Sequence, residues 1–209
     1  MKPIWPLFFS ILSSFSQAAL DPIELRAKVF AMYLSKSAYC DSPITVFAKD
    51  TVIQYDVFGF PVLGVADNST HSFDGTYECI IFKLSEQFQF LPSVTATTCI
   101  FPNRYFVDVC TASYQNTEID GTTSSCSSAT DESVYLYLST ASNSNDPDVA
   151  LQPFSPPTPL DRSKGIKLSS SFSVNGKVGG RLVINGINRI NAGGGSCTMA
   201  MPKFSFVKE

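Results

Sequence analysis

Seven short segments with the composition of β-strands follow one another along the chain, and a longer strand-like run closes it. The segments are rich in β-branched and aromatic residues and are bounded by Asp, Asn, Gly, Pro or Ser. They span residues 45–47, 52–60, 77–84, 88–91, 95–101, 105–109 and 134–138, and the closing run spans 166–206. This pattern predicts a mainly β fold, an antiparallel β-sandwich or flattened barrel.

Three joins between these segments have the composition of hairpin turns. Asn175-Gly176 is the strongest short hairpin signal, and Pro102-Asn103 and residues 85–87 separate other strand-like runs. The closing run is too short to build a core of its own. We therefore expect it to complete a sheet that begins upstream.

One N-terminal helix is expected over residues 21–39. Asp21 is a suitable cap, Pro22 fits the first helical position, and Glu24 completes a capping-box pattern. Apolar residues then recur at helical spacing, namely Leu25, Val29, Met32 and Tyr33. The spacing predicts an amphipathic helix that packs against the sheet.

The second half of this helix, from Tyr33 to Asp41, contains the run Ser-x-x-Ala-Tyr-Cys. It resembles the first helix of secreted class 3 lipases over about twenty of the 209 residues. Those lipases carry a Gly-x-Ser-x-Gly nucleophile elbow between strand and helix. The nearest run here, residues 193–198 around Ser196, lacks the closing glycine and lies between strand-like segments. The resemblance therefore implies no catalytic residue.

The first eighteen residues are predicted to be a signal peptide. Lys2 forms a charged start, residues 4–15 are mainly apolar, and the small residues Ser16 and Ala18 suit signal peptidase. No later apolar segment is close to the length of about 20 residues that a membrane-spanning helix needs. We expect a secreted, extracellular protein with one domain at residues 19–209, crossed by a proline-rich surface strap at residues 142–165.

All six cysteines follow the predicted leader: Cys40, Cys79, Cys99, Cys110, Cys126 and Cys197. An even number in an exported chain predicts three disulfides, for which fifteen pairings are open. If Pro102-Asn103 closes a tight hairpin, Cys99 and Cys110 lie beyond disulfide reach of one another. We predict the pairs Cys79–Cys99, Cys110–Cys126 and Cys40–Cys197.

Asn68 begins the one N-glycosylation sequon, Asn68-Ser69-Thr70, in a polar turn that is expected to be exposed. His71 is the only histidine, and it lies beside this sequon. A Ser-His-Asp or Cys-His mechanism would need it, and a glycan there would crowd a substrate. His71 is interpreted as a turn residue.

Removal of the leader leaves 14 basic against 18 acidic residues, a net charge of −4. A mildly acidic chain without a basic run predicts no nucleic-acid partner. The cysteines lack paired metal-ligand spacing, and the candidate calcium ligands in Asp120-Gly121, Asp131-Glu132 and Asp146-Pro-Asp148 do not approach an EF-hand pattern. No metal or cofactor is predicted.

Phenylalanine is abundant, and seven of these residues are assigned to the core: Phe58, Phe60, Phe82, Phe88, Phe90, Phe101 and Phe106.

Three function classes remain open. The sequence favours a non-enzymatic extracellular binding or structural protein, because the predicted leader and the three predicted disulfides are features of an exported, stable protein. A carrier of a small hydrophobic ligand in a sandwich pocket is the alternative. A secreted hydrolase, including one with paired carboxylates, is the third.

Overall fold

The structure is a computed structural model that describes residues 20–56, 73–126, 133–144, 152–175 and 180–208. These residues contain strands and no helix, so the predicted mainly β fold is confirmed. The strands are β1 Pro22–Ser35, β2 Ile44–Asp56, β3 Gly75–Tyr77, β4 Cys79–Ser85, β5 Gln87–Pro92, β6 Tyr105–Asp108, β7 Gln115–Thr117, β8 Thr123–Ser125, β9 Ser133–Ser139, β10 Ile166–Lys167, β11 Phe172–Val174, β12 Gly180–Asn185, β13 Ile190–Gly193, β14 Ser196–Met199 and β15 Lys203–Lys208.

The longest strand, β1, organises a seven-stranded sheet with the order β10-β9-β4-β1-β5-β6 and β2 on the remaining edge of β1. One edge of β1 pairs with β2. The opposite edge pairs with β5 near the start of β1 and with β4 near its end. The described strands pair antiparallel except β10 with β9, and the isolated bridge between Gln152 and Lys164 is also parallel. The sheet therefore branches into two wings, β6 on β5 and β9–β10 on β4.

The two faces of this sheet carry different clusters of apolar residues. The main core on the inner face includes Leu25, Phe82, Phe88, Leu136 and Phe154. A smaller group on the outer face, called here the outer cluster, consists of Ala31, Tyr33, Cys40, Cys79, Ile81, Tyr135 and Tyr137. Both faces of β4 and β9 are therefore buried, which explains their nearly continuous apolar sequence.

The predicted N-terminal helix is wrong, because these residues form β1 and the bends that follow it. Every second side chain from Leu25 to Val29 enters the main core. The register shifts between Val29 and Ala31, and beyond this bulge Met32 and Leu34 enter the core. Leu25, Val29 and Met32 are thus separated by four and three residues, which is also helical spacing.

The hairpin predicted at residues 85–87 is also wrong. β4 and β5 lie end to end along one edge of β1, with Glu86 between them. Alternate residues stay buried from Ile80 through Leu84, Glu86 and Phe88 to Phe90. The alternation continues in phase through the join, as expected for one bent strand and not for a turn.

Pro102-Asn103 lies in a turn, in which the Asn103 amide donates to the Ile100 carbonyl over 2.8 Å. The hairpin predicted there does not form, because β6 pairs with β5. Cys99 instead exchanges backbone hydrogen bonds with Ala96. The loop between β5 and β6 is fixed by the Tyr105 hydroxyl, which accepts from the Ile100 amide and donates to the Thr98 carbonyl.

The closing run does join upstream strands, through β10 on β9 and β11 on β3. The hairpin predicted at Asn175-Gly176 is not supported, because β12 pairs with β15 and not with β11; Gly176 itself lies outside the described residues. β13 and β14 form a hairpin around Gly194 and Gly195, whose φ angles of 66° and 88° suit glycine. Phe204 of β15 packs edge-on against Phe88 at 6.0 Å, so the closing run covers part of the inner face.

The proline-rich strap is described at residues 142–144 and 152–165, and it is anchored more deeply than a surface strap. Phe154 is fully buried and meets Tyr114 edge-on at 5.9 Å, whereas Leu160 is 99 % exposed. The Pro153 carbonyl accepts from the Tyr137 amide. The strap therefore contributes both to the core and to the outer edge of β9.

All six cysteines form disulfides, and the predicted pair Cys110–Cys126 is confirmed. The other two predicted pairs are wrong, because the structure joins Cys40 to Cys79 and Cys99 to Cys197. The error follows from the predicted helix and hairpin. Ser35 of β1 lies opposite Cys79 of β4, so the turn after β1 brings Cys40 to that strand.

Candidate ligand-binding groove

A groove of about 260 Å³ lies on the outer face of the sheet, over β1, β5 and β6. It is lined by Arg26, Ala27, Lys28, Gln87, Gln89 and Phe106. The groove adjoins the bend of the sheet, because Lys28 precedes the bulge of β1 and Gln87 begins β5 just after Glu86.

Strand alternation places five of the six side chains on the outer face, whereas that of Ala27 enters the main core. On β5, Phe88 and Phe90 are fully buried in the main core, so Gln87 and Gln89 project to the outer face. The register pairs Arg26 with Gln89 and Gln89 with Phe106. A cation, an amide and an aromatic ring thus form one row across three strands.

Two cations, Arg26 and Lys28, line the groove, and the register places two carboxylates next to the lining, Glu24 beside Arg26 and Asp108 opposite Gln87. Glu24 contacts Arg26 and accepts two hydrogen bonds from Arg104, of 3.0 and 2.9 Å. The Arg104 hydrogen bond holds the pKa of Glu24 below its ordinary value, although partial burial acts in the opposite direction. Among the described residues Lys28 forms no salt bridge. The lining therefore has a cation that is available to a ligand.

The assignment of Phe106 to the core is wrong, because this side chain is 64 % exposed over the groove. Phe101 is also exposed, whereas Phe82, Phe88 and Phe90 are fully buried as predicted. Phe58 and Phe60 lie outside the described residues. The alternation of β6 explains the difference, since Tyr105 and Val107 pack against the main core and Phe106 faces the other way.

The lining carries side chains that can form noncovalent contacts with a ligand. Two amides, two cations and one aromatic ring offer hydrogen bonds, charge and a flat apolar surface. The six lining residues include no carboxylate, imidazole, hydroxyl or thiol. The groove lining thus lacks the carboxylate, imidazole, hydroxyl and thiol groups that most hydrolases use as nucleophile or general acid.

Other residues singled out from the sequence do not meet at this groove. Asn68, His71, Asp131, Asp146 and Asp148 lie outside the described residues. Asp120 is exposed in a turn, where its carboxylate accepts from the Thr122 amide. Ser196 begins β14 opposite Gly193 of β13, so the strand setting predicted for it is confirmed. In the described part of the chain no group of three or more potential ligands could hold a metal.

Four lining residues are not singled out by the sequence, namely Arg26, Lys28, Gln87 and Gln89, although one signal is present. The alternation Gln87-Phe88-Gln89-Phe90 marks two amides on the exposed face of a strand whose other face is apolar. The helix predicted over residues 21–39 conceals the same alternation at Arg26 and Lys28.

Comparison with known proteins does not identify a relative. No protein-family model matches this chain, and no curated protein or solved structure is significantly similar to it. Within the ranges that the structure describes, no helix has the length and apolarity needed to cross a bilayer.

Proposed function

We propose that this chain is a secreted, non-enzymatic extracellular binding protein and that the groove over β1, β5 and β6 is its binding site. The row of Arg26, Gln89 and Phe106 is the observation that carries the proposal, because three chemically different side chains converge on an exposed sheet face. Three disulfides are consistent with an extracellular or secreted protein.

The same proposal includes the finer features of the mature protein. The leader is removed after Ala18, Asn68 carries a glycan, and the chain from residue 19 to 209 forms one sandwich-like domain. The packing of Phe204 on Phe88 supports two layers over a shared core. Peptide mapping of the secreted protein tests the first residue and the glycan directly.

A carrier of an apolar ligand is ranked below a binding protein for a physical reason. The large inner aromatics contact one another, as Phe90 does with Tyr105 at 5.7 Å and Tyr77 with Phe172 at 5.8 Å. Where the structure describes them, these rings pack against one another instead of lining an open space. A hydrolase is ranked lower still, because the groove lining lacks the side chains for that chemistry.

Native mass spectrometry of the protein secreted by its own organism tests the proposal. We expect the wild type to carry a bound mass that the double variant Gln89→Ala/Phe106→Ala loses, with no turnover in a broad esterase and glycosidase screen. Equal bound mass in both proteins would contradict the groove as the binding site. Lipid retained by the variant would favour the carrier, and turnover would favour the hydrolase.

A further inference from the structure

We propose that the ligand of the groove is an acidic sugar, with its carboxylate on Lys28 and the C–H face of its ring on Phe106. This inference rests on the proposed function and adds the chemical class of the ligand. It follows from the charge, the hydrogen-bonding groups and the exposed aromatic ring of the groove.

The charge of the lining favours an anionic ligand. Arg26 and Lys28 line the groove, and none of the six lining residues is acidic. The carboxylate of Glu24 lies beside Arg26 and partly neutralises its charge, but the same carboxylate also forms a salt bridge with Arg104. Lys28 is partly exposed and has no salt bridge with a described residue. A ligand carboxylate therefore finds its best partner at the Lys28 end of the groove.

The two amides suit hydroxyl groups. Each glutamine side chain offers two N–H donors and one carbonyl acceptor, and a sugar hydroxyl both donates and accepts. Gln87 and Gln89 are two residues apart on β5, so their backbone positions are about 6.6 Å apart at strand rise. That separation is on the scale of one sugar ring. Hydroxyls on one ring can then reach both amides.

Phe106 provides the apolar surface that a sugar ring needs. Its side chain is 64 % exposed, and it lies directly opposite Gln89 in the register of β5 and β6. The C–H face of a pyranose can pack on this ring while its hydroxyls point to the amides. An acidic peptide would offer a carboxylate too, but peptides usually anchor by burying an apolar side chain in a pocket. The amides and cations beside this exposed ring favour a sugar over such a peptide.

The test is a binding measurement with matched acidic and neutral sugars. The mature protein is titrated with oligogalacturonate, hyaluronan and alginate oligosaccharides, and with the methyl ester of each, which has the same ring but no charge. We expect at least one acid to bind at least about tenfold more tightly than its ester, with affinity that falls as salt is raised.

Two variants and two matched controls assign the contacts. Lys28→Met should abolish the preference for acid over ester, whereas Phe106→Ala should weaken both ligands by about tenfold. Lys167→Met and Phe101→Ala remove an exposed cation and an exposed ring outside the groove, and they should leave binding unchanged.

Equal affinity for acid and ester, or an acid preference that survives Lys28→Met, would overturn the inference. So would the absence of binding by every sugar, or tighter binding of a poly-glutamate peptide than of any acidic sugar. These results would leave the proposed function in place if the natural bound mass still depended on Gln89 and Phe106. Loss of that dependence would instead show that the groove is not the binding site.

Discussion

Glu24 and Arg104 are joined by two parallel hydrogen bonds, of 3.0 and 2.9 Å, between the start of β1 and the residue before β6. The pair links β1 to the residue before β6 at one end of the part of the sheet that carries the groove. It also keeps the Glu24 carboxylate beside Arg26. Because both side chains are partly exposed, solvent weakens the attraction. The bidentate geometry nevertheless fixes the orientation of both groups.

We expect Arg104→Ala to lower the free energy of unfolding by about 1 kcal/mol at neutral pH. The folded-state pKa of Glu24 is lowered, so its contribution is present above the unfolded-state value, near 4.5, and is lost as the pH falls through the folded-state value. Urea unfolding at neutral and strongly acidic pH measures this. Lys164→Ala, which removes the longer exposed pair with Asp161, is the control and should have little effect.

Phe154 should be the main anchor of the proline-rich strap. Its side chain is fully buried against Tyr114, so we expect Phe154→Ala to cost about 3–5 kcal/mol through lost burial and a cavity. Leu160 of the same strap is 99 % exposed, and Leu160→Ala should change stability by less than about 0.5 kcal/mol. Equal urea midpoints for the two variants would show that the strap is not anchored in this way.

The side chain of Asn116 should act as a strand partner for the edge of β9. Its amide group donates to the Ser133 carbonyl at 3.2 Å and accepts from the Tyr135 amide at 3.0 Å. We expect Asn116→Ala to cost about 1–3 kcal/mol and to speed hydrogen exchange at the Tyr135 amide. Asn116→Asp keeps the acceptor but loses the donor, and it should protect that amide better than alanine does.

Much of the local pattern on the strands could be predicted from sequence. The alternation of Phe88 and Phe90 correctly indicates a half-buried strand, and the composition correctly indicates a mainly β fold. β1 was missed because a bulge between Val29 and Ala31 shifts the phase of an otherwise alternating strand. A single inserted residue leaves no marker in the sequence that distinguishes it from helical spacing.

The groove and two disulfides depend on pairing between distant strands. Arg26, Gln89 and Phe106 come from three separate strands, and only the register places them in one row. Cys40 likewise reaches Cys79 because β1 pairs with β4. Local patterns predict which face a side chain occupies, but they do not predict which strands become neighbours.

The disulfides should differ in their effect on stability according to the length of chain that they close. Cys99 and Cys197 are 98 residues apart, and Cys110 and Cys126 are 16 apart. By chain-entropy reckoning, removal of the longer link costs about 4.7 kcal/mol and that of the shorter about 3 kcal/mol. Paired Cys→Ala variants compared by urea unfolding should follow this order. Non-reducing peptide mapping that recovered Cys40 linked to Cys197 would contradict the structure.

The outer cluster should make the protein sensitive to alkaline pH. Burial raises the pKa of the Tyr33 and Tyr135 hydroxyls, whose rings lie 6.3 Å apart. The folded chain therefore retains protons that the unfolded chain releases, so this stabilisation is complete below pH 10 and is lost as the pH rises through the folded-state values.

We therefore expect the free energy of unfolding to fall as the pH is raised above about 10. In the double variant Tyr33→Phe/Tyr135→Phe the fall should be shallower, because two of the responsible hydroxyls are gone. Tyr137 should retain part of the effect in that variant, since burial also raises the pKa of its hydroxyl, which donates to the Thr117 carbonyl over 2.7 Å. Urea unfolding across the alkaline range, followed together with tyrosinate absorbance, measures both quantities. Identical pH dependence in the wild type and the double variant would show that these two hydroxyls are not responsible.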